Sequence, residues 1–541
     1  MDRTSILAQL AGKEMDLLVI GGGITGAGIA LDAQTRGIQT GLIEMQDFAA
    51  GTSSRSTKLV HGGLRYLKQL EFKLVAEVGR ERAIVYENAP HVTQPEWMLL
   101  PLIEGGTYGK LATSVGLYVY DLLAGVKRSE RRKMLNREET LRMEPLLRKD
   151  KLKAGGYYVE YKTDDARLTL EIMKEAAHRG ALPVNYVKAE SFLYEDGKVV
   201  GVNARDLLDG STYAIRAKKV VNAAGPWVDE LREKDGSLHG KRLYHTKGVH
   251  IVFDHSRFPL GQSVYFDTPD GRMAFAIPRA GKTYVGTTDT HYTGDLTSPV
   301  MTEEDRDYLL AAIDYMFPSL GIRAEDIETS WAGIRPLIYE EGKSASEISR
   351  KDEVFHSRTG LITIAGGKLT GYRKMAEKVV DLVAKELGIL VSCTTDKVVL
   401  SGGHVGGSSG LPAFIQRKTA EGMKLGLQQE EAKRLVWRYG SNVDRVFAII
   451  RERGGEAADH RLSLEAFGSL VYALEEEMAQ TPIDYFLRRT SSLLFDIEWA
   501  KRWLEPVITY MSGHFGWNPE KEEAYRLRLA EEMRRMKPEN R

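Results

Sequence analysis

The feature that most restricts the fold of this chain is a glycine turn set between two strands near its start. Asp16-Leu-Leu-Val-Ile20 is an apolar run ended by glycine, the pattern of a buried parallel strand. Gly21, Gly23 and Gly26 follow at the spacing G-x-G-x-x-G, and Ile24 to Arg36 carries apolar residues at helical intervals until Gly37 stops it. Thr40 to Ile43 reads as a second strand with Glu44 at its end. Such a unit admits a pyrophosphate close to the backbone, turns a helix N-terminus toward its charge and offers an acid to the adenosine ribose. Gly21, Gly23, Ile24, Thr25, Gly26 and Glu44 are therefore expected to bind a dinucleotide. A lone G-x-G-x-x-G is weak evidence, whereas strand, glycines, helix, second strand and terminal acid together are strong.

The next segment favours FAD over NAD. Residues 50–66, AGTSSRSTKLVHGGLRY, are rich in hydroxyls and glycine and carry three basic side chains before Gly62. That suits a long, anion-lined loop rather than the next helix of a nicotinamide domain, although an ordinary surface loop has a similar composition. Its candidate cofactor contacts are Ser53, Ser54, Lys58, Leu59, His61 and Gly62. Two later apolar strands also end in small residues, at KVVNAAGPWVD (219–229) and LITIAGGKLTGYR (361–373). They add Ala223, Ala224 and Gly225, and Gly367, Lys368, Leu369 and Thr370. Three such turns, far apart in sequence, imply one nucleotide domain assembled from separated pieces, with the intervening chain forming a second domain.

With 541 residues, two to four compact units are expected. Apolar residues at 43% and charged residues at 28% exclude a mostly disordered or fibrous chain. The 75 basic and 75 acidic side chains cancel, so no overall field favours nucleic acid. The single cysteine, Cys393, and the lack of a signal-like start lead us to expect a cytoplasmic protein. No metal site is expected. The twelve histidines include no His-x-x-x-His pair, and Asp164 and Asp165 read as loop or cap residues. Ser401 to Gly410 reads as a flexible linker, after which the chain is helical and charged to its end.

Seven stretches carry a resemblance: GGGITGAGIALDAQTRG at 21–37, SSRSTKLVHGGLRYL at 53–67, NAAGPWVD at 222–229, TKGVHIV at 246–252, GTTDT at 286–290, GIRPL at 333–337 and GGKLTGYRKMAE at 366–377. In this order they resemble the flavin-dependent glycerol-3-phosphate dehydrogenase family, of the aerobic, respiratory type, within the glycine-oxidase-like flavoproteins. The resemblance implies an α/β fold with three parts. They are a Rossmann-like FAD-binding domain from 1–85, 165–235 and 355–400, an α+β substrate domain with an antiparallel sheet from 86–164 and 236–354, and an all-helical C-terminal cap from 401–541.

It also implies oxidation of sn-glycerol 3-phosphate at C2 to dihydroxyacetone phosphate, with hydride passing to flavin N5. A phosphate dianion favours several bidentate arginines. Arg65, Arg335, Arg350 and Lys368 lie in or near the matching motifs, with Tyr66 and Thr288 as hydroxyl donors. For Arg350, beside a charged run, a solvated side chain is the competing reading. His250 is the candidate base, with His61 its rival and a hydrogen-bonded core histidine the plain alternative. The catalytic set is thus His250, Arg335 and Lys368.

Electrons are expected to reach a respiratory quinone at the inner face of the cytoplasmic membrane, or oxygen in an oxidase branch. An amine or amino-acid oxidase, and a non-catalytic FAD-binding protein, are the other classes. Peripheral contact with anionic lipid is read from the apolar stretch 109–126 followed by the basic run Lys127 to Lys133, where a buried helix and a solvated one compete. A homodimer stays open.

Overall fold

The computed structural model describes residues 1–60, 72–109, 113, 116, 131–340 and 351–537. Two sheets organise these residues. The first runs Glu353–His356, Ile362–Ala365, Thr212–Asn222, Met15–Ile20, Thr40–Ile43 and Leu182–Val184, and the hairpin Val187–Glu195/Lys198–Asp206 extends from Thr212–Asn222. Met15–Ile20 lies parallel between Thr212–Asn222 and Thr40–Ile43, buried on both faces, which is why it reads as an unbroken apolar run. Helices Ile24–Thr35, Asp165–His178 and Tyr372–Leu387 pack side by side against it. The carboxyl ends of Met15–Ile20, Thr40–Ile43, Thr212–Asn222 and Ile362–Ala365 thus bring Gly21, Glu44, Ala223 and Gly366 to one edge, where open α/β sheets take their ligands.

The second sheet runs Thr290–His291, Lys241–Asp254, Lys282–Gly286, Met273–Arg279, Ser263–Asp267, Thr93–Ile103, Leu152–Thr163 and Leu59–Val60, with Ile327–Glu340 along Lys241–Asp254 and Lys133–Asn136 along Leu152–Thr163. Its pairs are antiparallel except Ser263–Asp267 with Thr93–Ile103, which is parallel. Strand alternation sorts its residues between two cores. Met98, Leu100 and Val252 face the helical C-terminal part, whereas Leu99, Ile251 and Phe253 face helix Glu303–Met316.

Three expectations are corrected. Leu59–Val60 pairs with Tyr161 and Lys162 and so belongs to the second sheet, although it lies within 1–85. Glu353–His356 joins the first sheet before residue 355, because it pairs with Ile362–Ala365. The segment 401–410 is no loose linker. Leu400 N–H donates to the Asn88 carbonyl, the Gly402 carbonyl accepts from Ser441, and helix Gly407–Met423 begins within it. Asp164 caps helix Asp165–His178 by accepting from Arg167 N–H, the role its sequence position suggests.

Candidate active site

One cavity of about 610 Å³ runs from the edge of the first sheet to the second. At the nucleotide end it is lined by Gly21, Gly23, Ile24, Thr25, Glu44, Ser53, Ala223, Ala224 and Gly225. Gly21 has φ +120°, and a Cβ there would stand 2.3 Å from the Ala223 carbonyl oxygen. A Cβ on Gly23 would meet nothing nearer than Ser53 Oγ at 3.1 Å, so this is the glycine that leaves room toward the cavity. Gly26 is different. It does not line the cavity, and its Cβ would fall 1.9 Å from the Gly21 carbonyl oxygen, so its glycine serves helix-to-turn packing rather than cofactor contact.

Glu44 is held across the turn by N–H donors from Gly22 and Gln46, each at 2.7 Å. Burial raises its carboxyl above the usual range, and those two donors work against the rise. Ser53 Oγ accepts from Ile24 N–H at 2.9 Å and so covers the helix N-terminus.

The loop after Gly51 is fixed by the second sheet. Thr52 donates to the Ile334 carbonyl at 2.7 Å, Trp331 Nε1 to the Ser56 carbonyl at 3.0 Å, and Tyr284 to the Thr57 carbonyl at 3.0 Å. Lys58 is turned inward, donating to Asp165 at 2.6 Å and to the Ser54 carbonyl at 3.0 Å. Lys58 and Ser54 therefore hold the loop and do not line this cavity, contrary to their expected role as cofactor contacts. Leu59 does line it.

The second sheet contributes His250, Thr288 and Arg335 to the lining, and the turn after Ile362–Ala365 contributes Gly367, Lys368, Leu369 and Thr370. His250 sits inside strand Lys241–Asp254, opposite Trp331 on one neighbour and Gly286 on the other. Its Nε2 is 3.0 Å from Thr57 Oγ1. Burial first, then the charges of Arg335 and Lys58, push the imidazole well below the usual histidine value, which favours its neutral form. The Arg335 guanidinium lies against Gly248, where a Cβ would come within 2.3 Å of it. It donates to Thr287 Oγ1 at 2.8 Å, the Thr288 carbonyl at 3.1 Å and Asp289 at 3.2 Å. The Thr288 hydroxyl accepts from Val249 N–H at 3.0 Å and stands 3.3 Å from the Lys247 carbonyl, on the wall of the cavity. His61, Gly62, Arg65, Tyr66 and Arg350 lie outside the described residues.

Comparison with known proteins bears on this arrangement. The family described as FAD dependent oxidoreductase matches residues 16–373, and the one described as the C-terminal domain of alpha-glycerophosphate oxidase matches 393–522. The aerobic glycerol-3-phosphate dehydrogenase of Bacillus subtilis is 61% identical over 526 residues, 96% of this chain and 94% of its own length. That of Staphylococcus aureus is 57% identical over 530 residues, 97% and 95%. The chain belongs to the FAD-dependent glycerol-3-phosphate dehydrogenase family. A solved member, the glycerol-3-phosphate dehydrogenase of Bacillus halodurans complexed with FAD, superimposes with a TM-score of 0.88 at 54% identity, over 99% of this chain and 98% of that one.

The family's cofactor is FAD, and the residues here fit it. Gly23 lines the cavity with no side chain to fill it, and the half-buried Glu44 carboxylate stands at the end of the second strand. Several lining residues escaped the sequence reading. Val187, Lys188 and Ala189 line the Glu44 end because Val187 N–H donates to the Glu44 carbonyl, a crossing set by strand order alone. Ser56 and Thr57 line the cavity from within the hydroxyl-rich loop, where nothing in residue type sets them apart from Ser53 and Ser54. Tyr158, Tyr265 and Phe275 form an aromatic wall, with the last two rings stacked at 4.4 Å, and nothing in their local sequence marks them.

Proposed function

We propose that this chain oxidises sn-glycerol 3-phosphate at C2 to dihydroxyacetone phosphate and passes the electrons to a membrane quinone. The observation that carries the reading is one cavity lined both by the glycine turns of the FAD cradle and by His250, Arg335 and Lys368. Bound FAD would supply the acceptor for the C2 hydride. His250 takes the hydroxyl proton, which lets the carbonyl form as the hydride leaves. Arg335 and Lys368 bring positive charge for the phosphate, and the sequence motifs add Arg65 and Arg350. Because Arg335 is already oriented by Thr287, Thr288 and Asp289, it meets the anion in a fixed pose.

The quinone as acceptor is supported by the relatives being named aerobic dehydrogenases. Among the described residues no helix is long and apolar enough to cross a membrane, so attachment in this reading is peripheral. The test is anaerobic mixing of the holoprotein with glycerol 3-phosphate while following the flavin absorbance, then addition of a quinone or of oxygen. Bleaching by glycerol 3-phosphate and recovery with quinone support the reading. No bleaching overturns the substrate, and fast recovery with oxygen accompanied by hydrogen peroxide overturns the acceptor.

A further inference from the structure

The turn that follows the second strand of the nucleotide domain is gripped from the far end of the chain. Asp47 is 1% exposed. Its carboxylate accepts from Arg488 Nε at 2.5 Å, from Arg489 Nη1 and Nη2 at 2.6 and 2.8 Å, and from Asn185 Nδ2 at 3.0 Å. Both arginines belong to the π-helical turn Asp484–Arg489 of the C-terminal domain. Arg488 also donates to Asp484 at 2.5 Å, and Asp484 accepts from the Tyr186 hydroxyl at 2.7 Å. Two aspartates and two arginines balance, which is the condition for charges to be buried without a large penalty.

From Asp47 the contacts lead directly to the ribose-binding acid. Gln46 N–H donates to Glu44 Oε1 at 2.7 Å, and the Gln46 carbonyl accepts from Tyr186 N–H at 2.9 Å. Ala49 N–H donates to the Gly22 carbonyl at 3.0 Å, and a Cβ on Gly22 would collide with Glu44 and Phe48. The turn 44–50 and the glycine turn are therefore one packed unit, with Asp47 as its handle.

A second buried ion group in the same interface joins Glu477 to Arg167 at 2.8 Å and to Lys174 at 2.9 Å, and Lys174 to Glu171 at 2.8 Å; it meets the first at Arg489, whose Nη2 donates to the Glu477 carbonyl at 2.8 Å, but Lys174 itself touches neither arginine nor residues 44–50. The acceptor that Arg488 and Arg489 share is the Asp47 carboxylate, on the one turn that presents Glu44.

We propose that Arg488 and Arg489 are positioning residues of the FAD site: through Asp47 they fix the turn that presents the Glu44 carboxylate, so the C-terminal helical domain completes the adenosine end of the cofactor cradle. The inference rests on FAD binding and is independent of substrate and electron acceptor. It predicts that removing the grip weakens the cofactor at its adenosine end.

The test uses the full chain, deflavinated and titrated with FAD while flavin fluorescence is followed, with ADP as a competitor that carries only the adenosine end. Arg489→Ala is expected to raise the dissociation constants of FAD and ADP together by about tenfold, the usual scale for losing a group that orients a ligand-binding group. Lys174→Met, which breaks the other ion group, is expected to lower Tm and leave both constants at the parental value. The proposal is overturned if Arg489→Ala binds FAD like the parent, or if Lys174→Met weakens FAD as much. Should Arg489→Ala not fold, Arg488→Lys decides. It keeps the charge but loses the fork, and parental affinity for FAD and ADP in that variant overturns the proposal equally.

Discussion

The rings of His250 and Trp331 stack at 4.7 Å between centroids and 7° between planes, on residues directly opposed across two antiparallel strands. On the other side Gly286 lies so close that a Cβ would stand 2.1 Å from His250 Cδ2. The imidazole is thus clamped between an indole and bare backbone, and its orientation is set by the sheet rather than by a hydrogen-bonded acid. Trp331 is in turn fixed through its N–H to the Ser56 carbonyl, which links the imidazole to the loop beside the glycine turn.

This clamp makes the role of His250 separable from cofactor binding. His250→Ala should retain FAD and slow flavin reduction by roughly 10²- to 10⁴-fold, the range for loss of a general base. Gly286→Ala should do much the same by pushing the ring aside, with flavin content unchanged. Rapid-mixing absorbance of the flavin checks both, and parental rates in either variant would move proton removal to another group, His61 first.

The pH dependence follows in sign. A base works only when unprotonated, so the reduction rate is lost as pH falls through its value in the folded protein. Burial, Arg335 and Lys58 set that value well below the ordinary 6.5 or so, so the rate at saturating substrate should stay level through pH 6.5 and fall only below it. Stability bends the same way. His250 and the likewise buried His91 are depressed when folded, while the unfolded chain takes up protons below about 6.5, so Tm should drop as pH is lowered past that point.

The glycines of the first turn should divide into two phenotypes. Gly23→Val places its side chain toward the cavity and should give a folded protein that purifies colourless. Gly26→Val drives a side chain into the Gly21 carbonyl and should lower stability by about 1–3 kcal/mol or more before cofactor affinity is even at issue. Flavin content and Tm, measured on both, distinguish them. Equal Tm loss would contradict the division.

These two glycines also show what the sequence conveyed. The spacing of Gly21, Gly23 and Gly26, with Glu44 beyond them, announces the nucleotide fold because each step obeys local rules of strand, turn and helix. It does not say which glycine faces the ligand. Lys58 and Thr57 make the same point. Charge suggested a ligand in Lys58, but a buried Asp165, 107 positions away, claims it, and the cavity is left to the neutral neighbour. Val187 to Ala189 and the Tyr265–Phe275 wall depend on which strands pair, and Thr288 on where two backbone groups happen to need a hydroxyl. Neither is written in local pattern.

Phosphate recognition predicts that glycerol is a far poorer substrate than glycerol 3-phosphate. Arg335→Lys keeps the charge but cannot make the same set of contacts with Thr287, Thr288 and Asp289 while offering a fork to the anion. Loss of one charge-assisted bond is worth about 1.5–3 kcal/mol, so kcat/KM for glycerol 3-phosphate should fall by roughly ten- to a hundredfold. Steady-state kinetics with both substrates decide, and equal flavin reduction by glycerol would end the phosphate reading.

The proposed peripheral attachment to the membrane makes a further prediction. Most of the stretch 109–126 and residues 127–130 of the basic run lie outside the described residues, but the run ends in view, with Arg131 and Lys133 exposed and Lys133 opening the edge strand Lys133–Asn136. An edge strand beside a basic cluster offers charge to anionic lipid, and the apolar stretch offers partial burial. The two contributions respond differently to salt. Charge attraction is screened within about 8 Å at physiological ionic strength, whereas apolar insertion is not. Raising salt should therefore release only part of the protein from anionic vesicles, and detergent the rest. Changing Arg131, Arg132 and Lys133 together to Glu should weaken vesicle binding and lower quinone turnover in step with it, because a lipid-dissolved acceptor is met only at the surface. Flavin reduction by glycerol 3-phosphate should be untouched, since none of the three lines the cavity. A chain that ignores anionic vesicles yet reduces quinone at the parental rate would detach the acceptor from the membrane and leave the basic run as an ordinary solvated edge.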